Sequence, residues 1–197
     1  MSGKLFVISG PSGVGKTTVV KGVVSDWSDT NHPLEQVITY TTRKPRPNEV
    51  DGVDYHYIGL EEFALKKEQG FFLEVSEFCG NWYGSPRFVL EKAQTSSVSY
   101  LLILDQEGAR ALKGLDGVVL LWLMPPSLDE LRKRLESRAS DTNEALRKRI
   151  EKAQREVTQE KKDMMYDYHV INGDLKDTIA LLKCLIGATI GDGELSK

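Results

Sequence analysis

Leu5–Ser9 is short and wholly apolar up to its last residue, as a buried strand requires, and it is cut off by Gly10-Pro-Ser-Gly-Val-Gly-Lys-Thr-Thr18. No other stretch constrains the fold of this chain as much. The loop has almost no side chains and one fixed positive charge, Lys16. Backbone N–H groups that must approach phosphate oxygens closely tolerate little else, and a helix starting at Lys16 turns its positive end toward the same anion. The spacing G-x-x-x-x-G-K-[ST] is that of a phosphate-binding loop. Gly10, Pro11, Ser12, Gly13, Val14 and Gly15 form the cradle, Lys16 reaches the β- and γ-phosphates, the Thr17 hydroxyl binds Mg²⁺, and Thr18 continues into the helix. An ordinary glycine turn is the alternative; the strand before and the helix after are the context the motif needs, so ATP or GTP binding is expected.

Beyond this loop, apolar runs alternate with helical patterns. Strands are expected at Val37–Thr42, Phe71–Phe78, Leu101–Leu104, Val118–Leu123 and His169–Asn172. Helices are expected at Lys16–Trp27, Leu60–Gln69, Pro86–Ala93, Leu128–Glu136, Asn143–Gln159 and Leu175–Ile186, with a break at Arg138–Thr142 and a loose tail, GDGELSK. Pro86 is placed near the start of its helix. Such alternation argues for an α/β fold, a parallel sheet flanked by helices. Residues 37–89 break the rhythm with shorter strands, more turns and most of the aromatic residues, and read as a small insertion beside the main sheet.

With 197 residues and 40% hydrophobic content the chain suffices for one full domain. A formal charge of −3 gives no sign of a nucleic-acid partner. Cys79 and Cys184 match no metal or redox spacing, and no run approaches the roughly 20 apolar residues of a membrane span. The first strand starts too early to leave room for a signal peptide. A soluble, cytoplasmic protein is expected, with no membrane partner.

The second candidate site is Thr39-Tyr-Thr-Thr-Arg43-Lys-Pro-Arg46-Pro47. The prolines forbid helix and fix an extended turn. By charge alone this is a solvated basic turn; its stiffness and its arginines, suited to bidentate phosphate binding, point to an anion site. Tyr55 and Tyr57 follow with hydroxyl donors. Glu74 then lies in the apolar run Phe71–Val75, where an ionised carboxylate is costly unless paired. By pattern it either faces solvent or accepts from a base edge with adjacent N–H donors, which guanine has and adenine lacks. Asn81–Ser85 reads as a tight turn carrying Tyr83 and Ser85.

These pieces in this order resemble guanylate kinases. The likeness runs through GPSGVGKTT, TTRKPRPNEVDGVDYHY, FLEVSEFCGNWYGSP, the strand ending at Asp105, RLESR and YDYHVING, from residue 4 to about 186. The resemblance implies a P-loop NTPase core (1–36, 90–133 and 158–197), a GMP-binding region (37–89) and a helical lid (134–157). It implies transfer of the γ-phosphoryl of ATP to GMP and to dGMP, in purine nucleotide metabolism, with Mg²⁺ as cofactor and a monomer or homodimer as the assembly. Arg43, Arg46, Tyr55 and Tyr83 are then the ligands of the GMP phosphate; Thr39, Glu74, Ser85 and Asp105 read guanine; Lys16, Arg134, Arg138 and Arg149 surround the transferring phosphoryl.

The lid has a reading of its own. Arg132–Arg155 holds nine Lys/Arg against four Asp/Glu in an otherwise acidic chain. Part of this is a charged helix with i,i+4 pairs, but phosphoryl transfer needs positive charge around the equatorial oxygens and exclusion of water, which a mobile arginine-bearing segment supplies. The chain departs from the family pattern at Ile103, where an acidic residue is common, at Glu107, where glutamine is usual, at Ala139, a common glycine, and at Gly173, where aspartate often follows Asn172. Changed rates are expected from these, not lost activity. A phosphopeptide-binding scaffold module without catalysis, or a related kinase with another phosphorylated acceptor, are the alternatives; the complete loop opposes the first, and Thr39, Glu74 and Ser85 oppose the second.

Overall fold

The computed structural model describes residues 2–78, 80–136 and 143–191. In chain order the elements are β1 (Leu5–Ser9), α1 (Lys16–Ser25), β2 (Leu34–Gln36), β3 (Tyr40–Thr41), β4 (His56–Tyr57), α2 (Leu60–Glu68), β5 (Phe72–Phe78), β6 (Asn81–Pro86) and α3 (Phe88–Thr95). They continue with β7 (Ser99–Ile103), α4 (Gln106–Leu112), β8 (Val118–Met124), α5 (Leu128–Glu136), α6 (Asn143–Asp163), β9 (Tyr168–Ile171) and α7 (Leu175–Gly191).

A five-stranded sheet has the order β2-β7-β1-β8-β9 with every pair parallel. Its central strands are apolar on both faces because helices cover both. Phe6 and Ile8 of β1 pack with Val19, Val20 and Val23 of α1 and with Leu182 and Ile186 of α7. Leu5 and Val7, pointing the other way, pack with Val89 and Ala93 of α3 and with Ala109 and Leu112 of α4. β1 and β7 end side by side and lead into the phosphate loop and Asp105, so both come out at the carboxyl edge of the sheet, where ligands of such folds collect.

The second sheet, β4-β3-β6-β5, is mixed, with β3/β4 parallel and β3/β6 and β5/β6 antiparallel. Phe63 of α2 is buried against it, stacked on Phe72 at 4.6 Å. Tyr40 and Phe71 pack edge-on against Phe72, and Trp82 lies beside Phe63, so aromatic contacts bind the helix to this sheet.

Three expectations from the sequence need correction. The strand expected at 37–42 is divided: the first ladder closes where the Val37 N–H donates to the Leu101 carbonyl, and the second opens where Thr39 O accepts from the His56 N–H. Pro86 ends β6 opposite Phe72 and does not start α3; a ladder irregularity there leaves its missing N–H without consequence. Asn81–Ser85 is strand, and the chain reverses near Gly80, whose φ is 72°. Helix α4 was not foreseen, and α6 and α7 run further than expected. The expected break at Arg138–Thr142 and the end of the tail lie outside the described residues.

Candidate active site

The phosphate loop joins β1 to α1. A Cβ at Gly10 would lie 2.3 Å from the Leu123 carbonyl oxygen, so only glycine lets the loop sit on the end of β8. Gly15 caps α1 in the left-handed region at φ 101°, with no side-chain cap among the described residues. That leaves the first amides of α1 to the loop's concavity. Lys16 Nζ donates to the carbonyls of Gly10 (2.6 Å) and Pro11 (3.4 Å). Val14 is buried, and its carbonyl accepts from Asn172 Nδ2 at 2.7 Å and from Arg134 at 3.4 Å. Arg134 of α5 also donates to the Asn172 carbonyl at 3.0 Å. Arg149 of α6 reaches the Ser12 hydroxyl at 3.0 and 3.3 Å. The structure therefore brings Lys16, Arg134 and Arg149 to one loop; Arg138 lies outside the described residues.

Thr17 and Thr18 are exposed in the first turn of α1. Among the described residues no group of three His, Cys, Asp or Glu side chains is placed to hold a metal ion. A single hydroxyl beside a phosphate cradle nevertheless fits Mg²⁺, which keeps its waters and is held mostly by substrate phosphates. Ile103, half-buried, packs into the core layer of α1.

The basic turn is organised by a residue that sequence reasoning passed over, Glu49. Its carboxylate accepts from Arg43 Nη2 (3.0 Å to Oε1, 2.9 Å to Oε2), from the Tyr57 hydroxyl (2.8 Å) and from the Arg46 N–H (2.8 Å). Burial pushes the Glu49 carboxyl up, but the Arg46 amide, Tyr57 and Arg43 together hold it below its ordinary value. Burial and Glu49 push the Tyr57 hydroxyl up to about 12, so it stays a donor. The Arg43 guanidinium lies over the Tyr55 ring at 5.3 Å, and Tyr55 packs against Tyr83 at 6.0 Å between ring centroids. The Arg46 side chain is 73% exposed. Arg43, Tyr55 and Tyr83 are thus gathered and Arg46 extends from their edge. Lys21 of α1 and Asp54 pair at 2.9 Å and tie this turn to the core. The signal for Glu49 was present: it is the first acid after three cations.

Glu74 does not face solvent: it is 6% exposed. It lies opposite Ser85 in the β5/β6 ladder, and Oε1 accepts from the Ser85 N–H (3.1 Å) and hydroxyl (2.6 Å). Oε2 is buried with no hydrogen-bond partner among the described residues. Asp105 caps α4, its Oδ1 accepting from the Gly108 N–H at 2.9 Å. A Cβ at Gly108 would meet Glu74 Oε2 at 3.1 Å and Asp105 Oδ1 at 3.4 Å, so the two carboxylates flank this glycine. Burial drives the Glu74 carboxyl up to about 7, with Ser85 opposing and the charge of Asp105 adding to the rise. Thr39 stands half-buried at the crossing between the sheets.

The main sheet ends in a G-x-x-x-x-G-K-[ST] loop with Lys16, Arg134 and Arg149 gathered on it, and the small sheet carries a separate cluster of Arg43, Tyr55 and Tyr83; this combination is that of the P-loop nucleotide kinases. The guanylate kinase family model matches residues 2–189. A guanylate kinase of Geobacter metallireducens is 36% identical over 187 residues, covering 94% of this chain and 89% of that one. One from Thermus thermophilus is 41% identical over 182 residues, covering 91% and 79%. The crystal structure of guanylate kinase from Anaplasma phagocytophilum superposes with a TM-score of 0.74 at 27% identity, covering 98% of this chain and 88% of that one. The chain belongs to the guanylate kinase family and is an enzyme of that family. Among the described residues no helix is long and apolar enough to cross a membrane.

Proposed function

We propose that this enzyme transfers the γ-phosphoryl of ATP to GMP, giving ADP and GDP, and that it also accepts dGMP. One observation carries the acceptor assignment: Glu74, fixed by Ser85 through Oε1, keeps Oε2 buried without a partner beside Asp105. A buried acceptor of this kind calls for donors, and the N1–H and N2–H₂ of guanine are an adjacent pair. Ser85 and Thr39 add hydroxyls, and Asp105 a second carboxylate. Arg43, Arg46, Tyr55 and Tyr83 take the GMP phosphate. Gly10–Thr18 hold the phosphates of ATP, as the loop geometry and the open first turn of α1 support.

The acceptor oxygen is already anionic, so its in-line attack on the γ-phosphorus needs no general base; the task is neutralising charge and excluding water. Lys16, Arg134 and Arg149 surround the equatorial oxygens, joined by Arg138. Mg²⁺, held by the Thr17 hydroxyl and the phosphates, supplies further neutralisation when bound. We read residues 37–89 as the GMP-binding region and 134–157 as the lid. The cytoplasm and purine nucleotide metabolism are the setting this reaction implies.

A coupled ADP-release assay with ATP and Mg²⁺, offering GMP, dGMP, AMP, CMP and UMP in turn, tests the reading. Turnover with GMP and dGMP only is expected. Equal use of AMP would refute the role of Glu74. GMP binding by calorimetry without turnover would refute the enzymatic reading in favour of a binding module.

A further inference from the structure

Helix α6 turns Arg149, Ala153, Glu156 and Glu160 to one side, at the spacing of a single helical face. Three of them have clear tasks. Arg149 bonds Ser12, Ala153 is buried in the core layer of the phosphate loop, and Glu160, buried, accepts from His169 at 2.9 Å and from the Met165 N–H at 3.0 Å. Glu156 has none. Its Oε1 is 3.7 Å from Lys152 Nζ, and its Oε2 is buried with no hydrogen-bond partner among the described residues. The Nε2 amide of Gln106, the residue after Asp105, is buried and unpartnered in the same way.

Both side chains line one open cleft of about 850 Å³ between the start of α4 and α6, together with Lys152 and Gln159. Lys152 also lies 4.5 Å from the centre of the Phe78 ring, at the end of β5, so α6 and the small sheet meet beside this cleft. Burial pushes the Glu156 carboxyl above its ordinary value, Lys152 and Lys16 pull it back, and Asp105 adds to the rise. The carboxylate therefore lies within electrostatic reach of both the phosphate-loop lysine and the acceptor-side aspartate.

A carboxylate oxygen only accepts and an amide NH₂ only donates. Within reach of each other they would pair; they do not, and the cleft runs between them. The group that satisfies both must donate and accept at once. A phosphate is repelled by the carboxylate, and the base edge has Glu74 and Ser85. A sugar hydroxyl fits. We propose that Glu156 and Gln106 bind the ribose hydroxyls of the acceptor nucleotide, Glu156 accepting from them and Gln106 donating to them. This rests on the reading of GMP as acceptor. It places the sugar beside the base-reading Asp105, on the side of the site that faces Lys16 of the phosphate loop.

The test compares GMP, dGMP and 2′,3′-dideoxy-GMP as acceptors for the wild type, Glu156→Gln and Gln106→Ala. In the wild type, kcat/KM is expected to fall along this series, by on the order of tenfold or more from GMP to the dideoxy compound, since a hydrogen bond to a charged group is at stake. Each variant should compress the series to within about twofold, with KM for ATP little changed. A wild type that uses all three acceptors equally, or variants that keep the full wild-type gradient, would overturn the proposal. Failure of the wild type to use GMP at all would instead overturn the acceptor assignment on which it rests. Circular dichroism and the KM for ATP separate a folding defect in one variant from loss of the contact, and the second variant approaches the same hydroxyls from the opposite wall.

Discussion

Replacing Glu74 with glutamine should stabilise the folded enzyme at alkaline pH while damaging its acceptor site. The carboxyl goes from an ordinary 4.5 to about 7 on folding, because burial in the β5/β6 ladder outweighs what Ser85 returns. Folded protein thus binds the proton more tightly than unfolded chain, so stability declines as pH rises, beginning near 4.5 and levelling off above about 7. At about 1.4 kcal/mol per pH unit over that interval the decline is roughly 3 kcal/mol, order of magnitude. Glutamine keeps the shape and an oxygen for the Ser85 N–H and hydroxyl but has no charge to bury. Relative to wild type it should gain little near pH 4.5 and roughly 2–3 kcal/mol at pH 8, about 5–10 °C in Tm for a chain of this size.

Urea unfolding of both proteins at pH 5 and pH 8 reads this difference directly. Parallel pH dependences, with a constant offset between the two, would refute the argument that Glu74 bears a buried charge. The kinetic counterpart is independent. Ionised Glu74 is the form that accepts from guanine, so in wild type the KM for GMP should fall as pH rises through about 7. The acceptor's own phosphate also titrates in this region, near 6, so the comparison must be with Glu74→Gln, in which only the phosphate component remains. Its kcat/KM for GMP should be lower by on the order of 10–100-fold, for one or two bonds to a charged acceptor.

Glu49→Ala removes the carboxylate that accepts from Arg43, Tyr57 and the Arg46 amide; KM for GMP should rise about tenfold with KM for ATP unchanged in steady-state kinetics. Arg149→Ala should lower kcat by on the order of 100-fold or more, with a much smaller change in either KM, as expected of a group that acts on transition-state charge. Gly13→Ala places a Cβ 2.6 Å from Leu135 Cδ2 at φ +88°, so it should lower stability by about 1–3 kcal/mol in urea unfolding and weaken the seat of α5 on the loop.

What could be read from the sequence was whatever a local pattern specifies. The loop declares itself through glycine spacing, and its flanking strand and helix through apolar runs. Arg43, Arg46 and Glu74 were legible as residue types out of place: cations in a proline-stiffened turn, a carboxylate in an apolar strand. What local pattern does not carry is which partner a group finds. Val37–Thr42 reads as one strand because its residues favour extended backbone throughout, yet two ladders in two sheets claim its ends. Pro86 suits the first turn of a helix and the end of a strand equally well, and only the Phe72 pairing decides. Glu49 looked like one acid in a polar turn; its importance comes from three donors brought to it by folding. Glu156 is hidden the same way, in a helix so rich in charge that a buried carboxylate has no signature.

The cations of this site share a property that bears on how it binds. Lys16 bonds loop carbonyls, Arg134 the Asn172 carbonyl, Arg149 the Ser12 hydroxyl and Arg43 the Glu49 carboxylate. Each is held in place by a partner of its own, so the rotamer entropy of ordering long side chains is largely met by folding and does not fall on the substrate. The contacts named for Lys16, Arg134 and Arg149 are to neutral oxygens. A phosphate that replaces a carbonyl or a hydroxyl beside a guanidinium or an ammonium gains a charge–charge interaction at that contact. At Arg43 the partner is an anion: Glu49 matches a phosphate oxygen in sign, and Glu49 can keep one edge of the guanidinium only if a phosphate takes another. The fork geometry of arginine permits this division and a lysine ammonium does not. The loop, where Lys16 bonds carbonyls, can thus use a lysine, whereas the basic turn, built around the Glu49 carboxylate, depends on arginine.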